Sequence, residues 1–401
     1  MLRKDLLIHK TKTLLDEFLN PMLGQLDKPR KRFLKQTVRG ILFSGSLVVM
    51  ELCKWISDKC SDPFYQDKRL LNNLLSPHAD LGKAVTAYRQ SLNRYIQHDT
   101  PIVIDMTDLA KPRARKMKYL ALVRDGSEGK QVAGYWCIEV YAHLRSKRVL
   151  PLAMDVYSIE DPDVGSENLQ IERVVEAINR DLKGKGIWIA DRGFDRLELY
   201  EMWFSLNCHF IVCQRGDRAI ITPKGARLIL KDYVERLAQY NARNGRPSDI
   251  VFGKVYLPNH KRPLYMVASW LPGEDEPLIL LSTLVVETLE QARNVLGFYK
   301  KRWVCEEAGQ FLKTRVGLER FRVRRYVAIQ RLAILAMLAM GFLTWILLRS
   351  RDLTKRLFSL TSRFRKTVRF RYYRLLDGIQ EFIRLNPNEF LKPPPAIQRN
   401  E

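Results

Sequence analysis

Residues 299–313 read YKKRWVCEEAGQFLK. A helix advancing about 100° per residue would gather Tyr299, Arg302, Glu306 and Lys313 within an arc of roughly 60°. One face then carries a carboxylate flanked by a phenol and two cations, while Glu307, turned about 100° from Glu306, looks elsewhere. That face suits a metal-binding carboxylate set among phosphate-binding cations. It equally suits a solvated helix stripe, and the stretch alone leaves both open.

Two aspartates supply further chemistry. Asp105 follows the apolar run Ile102, Val103, Ile104, and Asp191 follows Ile187, Trp188, Ile189, Ala190. Each is expected at the carboxyl end of a short strand, where α/β sheets open a crevice for ligands. Each also fits a turn former or helix cap, a role open to Asp108 and Asp195 as well. Asp108 is a rival to Asp105; Asp105 is preferred because it closes the apolar run, whereas Asp108 is expected in the following turn. Three carboxylates in one crevice repel strongly without a cation, and hard oxygen ligands select Mg²⁺ or Mn²⁺. Two such ions about 4 Å apart can activate a hydroxyl and stabilise the leaving oxygen of a phosphodiester.

The composition agrees with a polyanionic partner. Of 401 residues, 68 are Lys or Arg and 44 Asp or Glu, a net charge of +24, spread along the chain and interleaved with aromatics. Nucleic acid fits this better than a membrane surface, which would call for an isolated polybasic segment. A hydrophobic content of 46% excludes a disordered chain. Six cysteines without CxxC or Cys/His ligand spacing argue against structural zinc, and with no signal peptide they read as reduced and cytosolic. Residues 332–348 form a 17-residue apolar run at the lower edge of a membrane span; a buried core helix is the preferred reading.

The elements that must position these groups fall into blocks. Residues 1–97 read as helices broken at Pro21 and Pro29, forming a helical DNA-binding domain. Its basic cluster is Lys28, Arg30, Lys31, Arg32 and Lys35, and two helices meeting at Gly45, the second capped by Ser46, suggest either a helix-turn-helix or a plain hairpin. Residues 98–213 alternate strands and helices as the first part of the catalytic domain. Residues 214–286, rich in Pro and short strands, read as a β-rich insertion. Residues 287–350 complete the catalytic domain with one long helix to about residue 316 and the apolar core helix. Residues 351–401 read as a basic C-terminal tail ending in a Pro-rich, disordered segment.

The spacing Tyr299, Arg302, Glu306, Lys313 resembles the YREK signature of DDE transposases of bacterial insertion sequences, the insertion-sequence-4 group. The segments IVIDMTDL around Asp105 and IWIADRGFDR around Asp191 are similar to that group's first and second acidic motifs, in the right order, with the β-rich insertion before the glutamate. The resemblance covers roughly residues 30–345. It implies an α/β, RNase H-like catalytic domain interrupted by a β-rich insertion, preceded by an all-helical N-terminal domain and followed by a basic helical tail.

It further implies Asp105, Asp191 and Glu306 as catalytic ligands of two Mg²⁺ ions, with Mn²⁺ as a substitute, and Tyr299, Arg302 and Lys313 as DNA-binding residues. The implied activity is cut-and-paste transposition on double-stranded DNA, at terminal inverted repeats and target, by a homodimer in the cytoplasm, associated with the nucleoid and with no membrane. An aromatic that holds a flipped base in a hairpin intermediate is expected near Leu278, where Trp270 is the nearest tryptophan. The alternatives are an RNase H-fold nuclease without strand transfer and a non-catalytic DNA-binding relative.

Overall fold

In the computed structural model, residues 4–24, 26–56, 62–124, 126, 129–270, 273–361, 370–387 and 389 are described. Five helices come first: α1 (Lys4–Leu23), α2 (Lys28–Ser44), α3 (Val49–Cys53), α4 (Pro63–Leu75) and α5 (Leu81–Leu92). Then follow β1 (Pro101–Ala110), β2 (Ala121–Arg124), β3 (Gln131–Leu144), β4 (Arg148–Tyr157), α6 (Glu167–Asp181), β5 (Ile187–Ala190), α7 (Leu197–Ser205) and β6 (His209–Cys213). The next segment holds β7 (Ala219–Ile221), β8 (Arg227–Ile229), α8 (Leu230–Arg243), β9 (Ile250–Tyr256), β10 (Pro263–Ser269) and β11 (Leu278–Ser282). The chain closes with α9 (Leu289–Tyr299), α10 (Trp303–Phe311), α11 (Tyr326–Arg349), α12 (Arg351–Thr361) and α13 (Arg371–Arg384).

All described strands join one sheet in the order β2-β3-β1-β5-β6-β11-β10-β9-β7-β8, with β4 also paired to β3. Only β1–β5 and β5–β6 are parallel. Their β-branched and aromatic runs lie buried between layers, as central parallel strands require. The strands of 214–286 extend this same sheet, because β11 pairs antiparallel with β6. That segment also holds a helix, α8, where short strands alone were expected.

The 332–348 run lies within α11, whose most apolar 18-residue window is 83% buried. It packs on β4 and on α1, α2 and α4, so its apolar surround is protein. Gly341 permits the closest approach: a Cβ there would lie 2.5 Å from the Tyr88 hydroxyl, which donates to the Pro151 carbonyl at 2.7 Å.

Local differences from expectation have local causes. Pro21 does not break α1 but sits in its final turns, where little follows it. Pro29 opens α2, whose cap is Asp27, accepting from the Arg30 amide at 3.0 Å. The second helix at the Gly45 corner is α3, five residues long and started by Val48; Ser46 instead accepts from the Val48 amide in a turn. In the basic cluster of α2, Arg30 pairs with Asp27 at 2.9 Å and Lys35 with Asp16 at 2.8 Å.

Beyond residue 350 the chain returns to the core. Tyr372 of α13 is fully buried, its hydroxyl donating to the Val149 carbonyl at 2.7 Å and accepting from the Val149 amide at 2.8 Å. The Pro-rich end, 391–401, lies outside the described residues, as does Cys60; the five described cysteines are buried free thiols.

Candidate active site

β1 is longer than the apolar run that marks it. It pairs with β3 as far as Ala110↔Gly134, so Asp105 sits mid-strand and Asp108 is a strand residue, not a turn residue. Cross-strand pairing with β3 overrides the poor strand preference of Asp and Thr. The parallel partner is shorter. Val103 is level with Ile189 and β5 ends at Ala190, so Asp105 and Asp191, each two residues further on, stand at matching positions where the parallel pair opens. Asp191 also caps the turn 192–194, accepting from the Gly193 amide at 2.8 Å. Its capping and its placement beside Asp105 are compatible. The Asp195 side chain is buried and ion-paired with Arg218.

The expected single helix over 288–316 is segmented. A 3₁₀ turn over 300–302 separates α9 from α10, and one π turn over 312–316 follows α10. Arg302 and Glu306 nevertheless share a face, with guanidinium and carboxylate 2.8 Å apart. The same guanidinium lies 3.4 Å from Asp105, so Arg302 bridges the first strand aspartate and the helix glutamate. The π turn, a form frequent at functional sites, carries Lys313 to Asp108 at 3.4 Å and Glu319 at 3.2 Å. Glu307 is exposed and outside this network.

The electrostatics follow from burial and crowding. Burial first, then the Asp191 carboxylate, pushes Asp105 up to about 6, against the Met106 amide and Arg302, which favour its ionised form. Burial and the Cys213 thiol raise the Tyr299 phenol, and its hydroxyl also feels Arg302 and Asp191. Burial opposes the Lys313 ammonium, but Glu319 and Asp108 outweigh it and raise its pKa.

Five of the six expected residues therefore gather where the central parallel strands end, Arg302 bridging Asp105 and Glu306 with Asp191 and Tyr299 beside them, while Lys313 reaches Asp108 and Glu319 instead. Among the described residues, no three His, Cys, Asp or Glu side chains enclose an ion as they lie. The donor set still fits a hard divalent cation: the carboxylates repel one another, and the Arg302 guanidinium stands between two of them as a positive charge.

Three features were not anticipated. Glu139 lies opposite Asp105 in register and is 3% exposed, with Tyr141 donating to it at 3.1 Å and its Oε1 without a hydrogen-bond partner among the described residues. A carboxylate inside an apolar strand gives no pattern signal beyond its own presence. Trp303, next to Arg302, is 65% exposed and offers a ring face for stacking. The segment 320–324 alternates exposed Arg320, Arg322 and Arg324 with buried Phe321 and Val323, a period-two pattern readable in the sequence. Trp270 follows β10, half-buried against the core.

Fold and site define a mixed α/β protein with acidic and basic groups gathered where its parallel strands open. A model of the transposase DDE domain matches residues 97–342, and the chain belongs to that family. The structure is similar to that of the piggyBac transposase synaptic complex with hairpin DNA, with a TM-score of 0.50 and 11% identity over 93% of this chain and 74% of that one. At that identity the likeness concerns the fold alone. No curated protein matches the chain.

Proposed function

We propose that this chain is a DNA transposase of the insertion-sequence-4 group with an RNase H-like catalytic core, moving its element by cut-and-paste. The observation that carries this reading is the bridge from Asp105 through Arg302 to Glu306, beside an Asp191 level with Asp105. Asp105, Asp191 and Glu306 would hold two Mg²⁺ ions, which when bound supply a Lewis acid to the phosphodiester and a lowered pKa to the attacking hydroxyl. Arg302, Lys313 and Tyr299 would bind DNA phosphates, Arg302 exchanging its carboxylate partners for them.

The reaction is nicking at each element end, followed by attack of the freed 3′-hydroxyl on a second phosphodiester. The reading also includes a helical DNA-binding region over 1–97, a catalytic core split by 214–286, a homodimer on the terminal repeats, and a place on the nucleoid. A plasmid bearing the native element ends, incubated with protein and Mg²⁺, tests it. Glu306→Gln should lower excision at least about 100-fold, the scale of losing one electrostatic group from a reacting site. Excision at the wild-type rate would refute the assignment. Nicks without joined products would favour the nuclease reading.

A further inference from the structure

Beside the candidate site runs a groove of about 520 Å³. The loop after β1, with Arg113, Arg115 and Lys116, forms one wall, and the strap after the π turn, with Arg322 and Arg324, forms the other. These five side chains are exposed, and among the described residues none of them is in an ion pair. The lining carboxylate, Glu319, is already held by Lys313. The groove thus presents uncompensated positive charge to solvent.

One residue fixes the two walls relative to each other. Lys111 is 7% exposed, donates to the carbonyls of Glu319 and, at 3.0 Å, Phe321, and lies 3.4 Å from the Phe321 ring centroid. The Lys118 amide adds a bond to the Arg324 carbonyl at 3.0 Å. The cation rows are therefore held at a set spacing before any partner arrives, which lowers the ordering cost of binding. Glu319 also accepts from the Ala110 amide at 3.4 Å, and through Lys313 it joins the groove to Asp108 of β1.

We propose that this groove holds the sugar–phosphate backbone of duplex DNA where it leaves the reacting phosphodiester, without regard to sequence. Two facing rows of Arg and Lys match phosphates, and no Asn or Gln lines the groove to read adenine; Arg can also read guanine, and comparing two duplex sequences separates that from phosphate contact. The proposal rests on the transposase reading only in taking DNA as the polyanion.

The test uses the full-length chain and two duplexes of unrelated sequence, with affinity measured by fluorescence anisotropy from about 50 to about 200 mM salt. Arg113→Ala/Arg115→Ala/Lys116→Ala should reduce the log–log salt slope by about 2–3 on both duplexes, and Arg322→Ala/Arg324→Ala by about 1–2, at roughly 0.9 per phosphate contact. Unchanged thermal melts of both variants exclude misfolding, since the five side chains are exposed.

A slope equal to wild type for both walls would overturn the proposal, as would a loss confined to one duplex sequence. Tighter binding of an RNA duplex with the same slope change would overturn the choice of DNA. Excision that depends on Glu306, together with unchanged slopes, would sink the groove and keep the transposase reading. Altered slopes in a protein without excision activity would do the reverse.

Discussion

Glu139 is the residue that the candidate site does not explain by pattern. Burial pushes its carboxyl up to about 8, with Asp105 and Asp108 adding to the rise and Tyr141 and Lys313 opposing it. A carboxyl whose folded pKa exceeds its unfolded value stabilises the fold fully below the unfolded pKa, near 4.5, and that contribution is lost as pH rises towards 8. Glu139→Gln removes the ionisation. In chelator, its melting temperature should match wild type near pH 5 and exceed it near pH 8, by on the order of 1–4 kcal/mol in stability. Equal melting temperatures at both pH values would mean that Glu139 stays ionised. The charged residues of the candidate site stand out in the sequence because carboxylates after apolar runs and a fixed helical spacing are local signals. Glu139 does not, because its environment is made by β1 and α10, which are distant in the chain.

Helix α10 lies directly on that carboxylate, and its placement decides where Glu306 points. A Cβ on Gly309 would come 2.8 Å from Glu139 Oε2, far inside contact distance. Gly309→Ala should therefore lift α10 and weaken both stability, by about 1–3 kcal/mol, and excision. Shortening the partner relieves the clash, so Glu139→Ala/Gly309→Ala should be less impaired than the sum of the single changes. Strict additivity in a double-mutant cycle would show that the two do not touch. Most strands are legible from β-branched and aromatic runs, and the structure departs from that pattern where pairing overrides propensity. β1 continues through Asp105, Thr107 and Asp108 because β3 holds it, and α8 forms where Leu230, Val234 and Leu237 recur at helical spacing inside a segment otherwise of short strands.

Over the described residues, the larger of two hydrophobic clusters runs from Leu7 in α1 through the sheet to Ile383 in α13, and the smaller packs α9 on β5, β6, β10 and β11. Block boundaries drawn from composition could not reveal this, since shared burial between segments hundreds of residues apart leaves no local trace. The buried pair Arg89–Asp181, 3.1 Å apart, ties α5 to α6, and Arg89 also donates to the Leu152 carbonyl of β4 at 2.8 Å. Arg89→Met leaves the Asp181 carboxylate, among the described residues, with the exposed Arg180 at 3.6 Å as its remaining ion-pair partner, and should cost about 3 kcal/mol. Arg89→Met/Asp181→Leu should recover most of that loss, because apolar side chains of similar size need no partner. With the helices and the sheet sharing a core, tryptophan fluorescence and far-UV circular dichroism should report one coincident transition in wild type. Separate melting of residues 1–97 would require their contacts with α11 and β4 to break while the sheet survives, leaving the most apolar helix of the chain uncovered. The exposure of so much apolar surface is unfavourable enough to make the two events one.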